Sequence, residues 1–195
     1  MAKLSNRKDI LLLLLYSSGK TGKLNEPIVG KTRLVKMLFL FKRELLPQFE
    51  KGTDISDENF YEFFPWNFGP FSSQVYDDLI FFKLTGFIES SSASQESLPE
   101  SEEEWDKWLD ESGTDQTSDI FESYEEETFR LTDKGVNFTK TIYDELSQSQ
   151  RSSLTHFKKR LSRAPLRAIL RYVYKTYPEQ TKNSTIVEEI GPYQF

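Results

Sequence analysis

One stretch of this chain has the wrong composition for a packed core, and it divides the rest. Between Ser91 and Glu127 fourteen acidic residues stand against one basic residue, Lys107, a net charge of −13. The remainder carries 24 basic and 17 acidic residues, so a body at +7 holds an acidic insertion and the overall −6 describes neither part. A segment so charged and so poor in apolar residues cannot bury enough surface to offset the entropy of ordering it. Residues 91–127 therefore read as a largely flexible insertion in a single domain over 1–181, with a C-terminal tail at 182–195. Outside the insertion apolar residues are plentiful. Of the 195 residues 37% are hydrophobic and 16 are Phe, which is material for one core.

The flanking sequence is patterned. Asn6 to Tyr16 reads as a first helix, apolar nearly all round and so buried. Lys3, Arg7 and Lys8 ahead of Ile10–Leu15 imitate a secretory leader, but Asp9 abuts the run and Ser17, Ser18, Gly19 and Lys20 offer no cleavage site. No stretch reaches the roughly 18–20 apolar residues of a membrane span, and the expected location is the cytoplasm. Lys31 to Leu46 forms a second helix with Leu34, Leu38, Phe41 and Leu45 on one face, ended by Pro47. Phe60 to Phe68 is extended up to a Gly69-Pro70 turn. Ser72 or Ser73 caps a third helix that buries Val75, Leu79 and Phe82 and stops at Gly86. Phe87–Glu89 and Phe129–Leu131 pair as a hairpin whose tip carries the insertion. A fourth helix opens at Thr132-Asp133-Lys134-Gly135 and turns Phe138, Ile142 and Leu146 inward. A fifth buries Leu154, Phe157 and Leu161. A sixth starts at Pro165 and buries Leu166, Ile169, Leu170, Val173 and Tyr177. The fold class is mainly α with a small β-hairpin. Three helices, a hairpin and a helix is the order of a winged helix-turn-helix core, here with extra C-terminal helices, and the third helix takes the place of the one that enters a DNA groove.

Several short motifs in this order resemble a family of small bacterial and phage-associated proteins, the SocA-like and Panacea-type antitoxins and their YwgA-like relatives. They are Gly30-Lys-Thr-Arg-Leu-Val-Lys-Met-Leu-Phe-Leu-Phe, Phe64-Pro-Trp-Asn-Phe-Gly-Pro-Phe-Ser72, Val75-Tyr-Asp-Asp-Leu79 and Leu84-Thr-Gly-Phe-Ile88. Phe129-Arg-Leu-Thr132 with Gly135 is similar to a Leu-Thr-x-x-Gly step, and Tyr172-Val-Tyr-Lys-Thr-Tyr-Pro178 to a C-terminal motif of the YwgA-like branch. The resemblance implies a winged-helix-like fold and a role in binding and regulating a partner encoded nearby, a toxin or a defence component. It carries no catalytic residues.

The residues themselves offer little chemistry. There is no Cys and one His, His156, which excludes disulfides and thiol catalysis and speaks against His-based metal sites or triads. Two Gly-Lys-Thr triplets, at 19–21 and 30–32, suggest a phosphate loop, but Leu14 and Asn25 stand where its first glycine belongs. Gly30–Thr32 reads instead as the start of a helix. No cofactor or metal is called for, and no enzyme is expected.

Binding is the better expectation. On the third helix Gln74, Asp77, Asp78 and Phe81 lie outside the buried stripe, with Lys83 the one base. Adjacent carboxylates repel phosphates, so this face suits a protein partner better than DNA. Trp105 and Trp108 in the insertion join them as candidate partner contacts. Arg33, Lys36 and Arg43 make one basic stripe, on the second helix. Arg167, Arg171 and Lys175 recur at four-residue steps on the sixth, after Lys158, Lys159, Arg160 and Arg163. Arg163, Arg167, Arg171 and Lys175 suit phosphates, an acidic partner or the chain's own insertion. The two functional classes are a protein-interaction module and, as the alternative, a nucleic-acid-binding regulator.

Overall fold

In a computed structural model, the structure describes residues 4–91, 127–184 and 186. The chain is mainly helical, with small antiparallel sheets. Helix α1 (Arg7–Tyr16) starts at Asn6, whose side chain accepts from the Lys8 amide while Asp9 reaches back to the Asn6 amide. Ile10 to Leu15 are all fully buried, as the all-round apolar run requires. Strand β1 (Ile28–Val29) follows, and then α2 (Lys31–Leu40) begins after Gly30, whose φ of 90° suits a residue without Cβ.

Pro47 does not end this helix. The chain widens into a π-turn at Phe41–Leu45, where the Leu46 amide bonds the Phe41 carbonyl, and continues as α3 (Leu46–Phe49). A proline lacks the amide for an ordinary helical bond. The wide turn accepts it early in the next segment and keeps Leu45, Leu46 and Phe49 buried.

The expected Gly69-Pro70 turn also moves. Strands β2 (Phe64–Trp66) and β3 (Gly69–Phe71) pair in the register Phe64↔Phe71 and Trp66↔Gly69, so the turn is Asn67-Phe68 and the Gly-Pro pair lies in the second strand. Pro70 sits on this two-stranded ribbon without blocking a ladder.

Helix α4 (Ser73–Leu84) is the third helix of the sequence reading. Val75, Leu79 and Phe82 are its buried stripe and Gly86 leaves it at φ 69°. Ser72 holds the N-cap position but makes no capping bond. Strands β4 (Ile88–Ser91) and β5 (Thr128–Leu131) form the expected hairpin, with Ile88↔Leu131 and Glu89↔Arg130 opposite each other. β1 adds to its other edge through Ile28↔Phe129, making a sheet of order β1-β5-β4 that the sequence pattern did not reveal.

Helices α5 (Asp133–Glu145), α6 (Gln148–Arg163) and α7 (Leu166–Thr176) complete the body. Thr132 caps α5 and donates to the Gly86 carbonyl at 2.7 Å. A Cβ on Gly135 would sit 2.1 Å from the Phe87 carbonyl oxygen. This close approach is the physical content of the Leu-Thr-x-x-Gly step. Ile142 and Leu146 face inward as expected, but Phe138 does not and is 41% exposed. Leu154, Phe157, Leu161, Leu166, Ile169, Leu170 and Val173 are buried as expected; Tyr177 packs at the edge of the core. Beyond the expected boundary at 181, the Ser184 hydroxyl donates to the Asn67 carbonyl (2.7 Å) and Ile186 is buried, so the body extends into the tail. Among the described residues no helix is long and apolar enough to cross a membrane.

Candidate functional site

Four of the charged residues that seemed available for partners, Arg33, Lys36, Asp78 and Lys158, are buried inside the fold. Arg33 of α2 donates to the carbonyls of Leu161 (2.8 Å) and Ala164 (2.6 Å). Lys36 is buried and donates to the Pro70 carbonyl at 2.8 Å; burial lowers its pKa from 10.5 to about 7. Arg43 reaches Glu179. The second-helix stripe is therefore broken up: Arg33 and Lys36 are buried and Arg43 remains at the surface, paired with Glu179. Lys158 leaves the C-terminal cluster in the same way. It is fully buried and donates to the carbonyls of Leu15 (2.9 Å), Ser17 (2.6 Å) and Glu26 (2.5 Å). Burial lowers it to about 7, against the pull of the Glu26 charge. Arg160 pairs with Glu44.

The first Gly-Lys-Thr triplet holds an anion, but an internal one. The Glu26 carboxylate accepts from the amides of Gly19 (3.3 Å), Lys20 and Thr21 (2.7 Å) and from the Thr21 hydroxyl (2.5 Å). Burial alone would raise the Glu26 pKa; these donors outweigh it and hold the carboxyl below its ordinary value. The second triplet starts α2 at Lys31, as expected.

On α4 the predicted face is split. Asp78 is 3% exposed, bonded to Arg7 at 2.9 Å and within 3.6 Å of the Lys8 ammonium. It joins α1 to α4 and is withdrawn as a partner contact. The error was to treat adjacent residues as one face, when neighbours on a helix point about 100° apart. Gln74 is half-buried, and its side-chain carbonyl accepts from the Glu62 amide at 3.0 Å. Asp77 and Phe81 are exposed. Trp105 and Trp108 lie outside the described residues.

Two residues missed by the sequence reading complete the surface. Ile80 is 56% exposed and Leu84 84%, beside Phe81 at 45%. Positions 77, 80, 81 and 84 share one side of the helix, so α4 has a second apolar stripe opposite its buried one. That stripe was legible in the spacing, but the buried one had already accounted for the helix. Beneath the surface the buried Phe82 ring joins Phe81 (5.3 Å) to the half-buried Phe87 (5.8 Å), which meets the exposed Phe138 of α5 at 5.4 Å. Taking about 200 Å² for a large apolar residue, Ile80, Phe81 and Leu84 present roughly 370 Å² on α4, and Phe138 on α5 adds roughly 80 Å². Patches of that size on a folded chain commonly mark interaction sites.

Lysines ring this surface. Lys8 lies 4.1 Å from the centre of the Phe81 ring, and Lys134 lies 4.5 Å from that of Phe87 while donating to the Thr85 carbonyl. Lys83 pairs with Glu127 at 2.6 Å, where the insertion returns to the body; Lys31 shares that carboxylate at 3.2 Å. Burial would raise Glu127, but the Lys83 bond and the two ammonium charges hold it low.

A second exposed surface runs along α6 and α7. Arg163, Arg167, Arg171 and Lys175 are all exposed, as their spacing predicted. Residues 148–177 contain eight Lys and Arg and no Asp or Glu.

Comparison with protein-family models, with curated proteins and with solved structures finds no match for this chain.

Proposed function

We propose that this chain is a non-enzymatic protein-interaction module with a winged-helix-like core, antitoxin-like or phage-defence-associated, which binds and regulates a partner encoded nearby in the cytoplasm. The order α1, α2, α4, β4–β5 hairpin, α5 supports the core assignment. One observation carries the functional reading. Where a DNA-reading helix would present bases and amides to a groove, α4 presents Ile80, Phe81 and Leu84 with Asp77. Solvated apolar residues of this size gain free energy when a partner covers them, and phosphates gain nothing from them.

The test is co-expression with the products of adjacent genes. Wild type should retain one of them through purification, and Ile80→Asp with Leu84→Asp should release it without lowering the thermal midpoint. A wild-type chain that purifies alone and leaves the neighbours' activities unchanged would refute the reading.

The α6–α7 surface favours a second reading, a nucleic-acid-binding regulator. Six exposed cations, Lys159 and the Glu44-paired Arg160 included, in a helical pair without acids offer phosphate contacts. This reading expects an electrophoretic shift that weakens steeply with salt. No shift at low salt would remove it.

A further inference from the structure

The α4 surface also indicates what kind of segment covers it. This step rests on the reading of α4 as a protein-binding face. The roughly 450 Å² presented is well short of the approximately 800 Å² per partner of a standard interface. It suits one helix laid across the stripe better than a second copy of this chain. Ile80 and Leu84 are one helical turn apart, about 6 Å along the axis, which matches anchors at i, i+3 or i+4 and i+7 on an incoming amphipathic helix.

The charges around the stripe select its flanks. Beside the middle of α4 two cations, Arg7 and Lys8, share the single carboxylate of Asp78. At its end Lys31 and Lys83 share Glu127. Each of these two buried carboxylates is outnumbered two to one, and the exposed Asp77 adds its charge to the Arg7 group. Lys134 is a fifth cation, beside Phe87. The exposed carboxylates nearby in sequence are Asp77 on α4 and Asp133 at the start of α5. With Asp77 and Asp133 counted, five cations stand against four carboxylates, a border of net charge +1, which complements a segment with acidic flanks and opposes one with basic flanks.

We propose that the α4 face, with Phe87 and Phe138, docks an amphipathic helix of a partner protein whose apolar anchors are flanked by carboxylates. Carboxylates beside the anchors reach Lys8, Lys83 and Lys134, and the anchors cover Ile80, Phe81 and Leu84.

Two synthetic helical peptides test this with the full-length chain. Both carry Leu and Phe at i, i+3 and i+7; one has Glu at the flanking positions and the other Lys. Fluorescence anisotropy should show the Glu peptide binding at least about tenfold more tightly, with the preference shrinking in about 0.5 M salt. Lys134→Glu combined with Lys8→Gln should remove the preference. Leu84→Asp, a change at an exposed site that leaves every lysine in place, should abolish binding of both peptides. Equal binding of the two peptides by wild type, lost in Leu84→Asp, would overturn the acidic assignment and leave α4 as a binding face. Binding of neither peptide, with the co-expressed partner still retained by Leu84→Asp, would overturn both. Sedimentation showing a dimer that Leu84→Asp dissolves would overturn the assignment to a foreign helix.

Discussion

Replacing Glu26 with Ala probes the most concentrated polar contact in the body. The Glu26 carboxylate takes three backbone amides and one hydroxyl from Gly19, Lys20 and Thr21. A hydrogen bond to a charged group contributes about 1.5–3 kcal/mol. The full sum does not apply. Lys20 and Thr21 are exposed, so their amides can turn to water after the change, whereas Gly19 is buried. The Gly19 bond is also the longest of those distances, at 3.3 Å. One to two strong bonds' worth of loss remains, about 2–4 kcal/mol. For a chain of this size that lowers the thermal midpoint by about 5–15 °C. Thermal unfolding at pH 7 measures it, and acetate or formate in the buffer should restore part of the loss by entering the vacated loop. The pH dependence supplies a second check. The folded-state pKa of Glu26 lies below the ordinary 4.5, so its contribution is complete above that value and is lost as pH falls through the folded one. The wild-type and Glu26→Ala curves should therefore converge in acid. A midpoint shifted by less than about 1 °C, or a difference unchanged between neutral and strongly acidic pH, would refute the assignment of the loop to this carboxylate.

Other outcomes follow from the same structure. Lys36 and Lys158 each go from about 7 in the fold to 10.5 unfolded, so the unfolded state binds more protons between those values and stability should climb with pH across them; Lys36→Met should remove about half of that slope in denaturant titrations and leave the part due to Lys158. Gly135→Ala places a methyl against the Phe87 carbonyl and should cost about 3 kcal/mol or more, read as a lowered denaturant midpoint. Asp78→Ala strands Arg7 beside Tyr61 and should cost about 1–3 kcal/mol, whereas Asp77→Ala at the exposed neighbouring position should stay within about 0.5 kcal/mol. Equal effects of the two would show that Asp78 does not join α1 to α4.

The elements that rest on local signals were readable. The apolar run of α1, the buried stripes of α4, α6 and α7, the Gly86 stop and the Thr132 cap follow from periodicity and capping chemistry, and each was found in place. The β4–β5 pairing was readable too, although 36 residues separate Ser91 from Thr128 in the chain, because both strands keep strand composition beside an insertion that does not. Missed features depend on contacts between distant segments. β1 is two residues long and has no period to detect. The π-turn before Pro47 depends on which side chains the core must bury. Phe138 lies on the apolar spacing of α5, but α1 and the sheet meet that helix through Thr139 and Ile142 instead.

Sequence alone determined where the acidic insertion interrupts the chain, that the six longer helices exist and that neither thiol chemistry nor disulfides are available, because composition and period are local properties. Only the tertiary structure decided which charges are surface. Arg33, Lys36, Lys158 and Asp78 look like solvated residues in the sequence, and each is buried against carbonyls or a counter-charge from another element. Burial of a charge is settled by whether a distant segment supplies its partner, and no window along the chain contains that information. The same reason separates Ile80 and Leu84 from Val75 and Leu79. All four are apolar residues on one helix, and the packing of α4 against the body covers one pair and leaves the other for a partner.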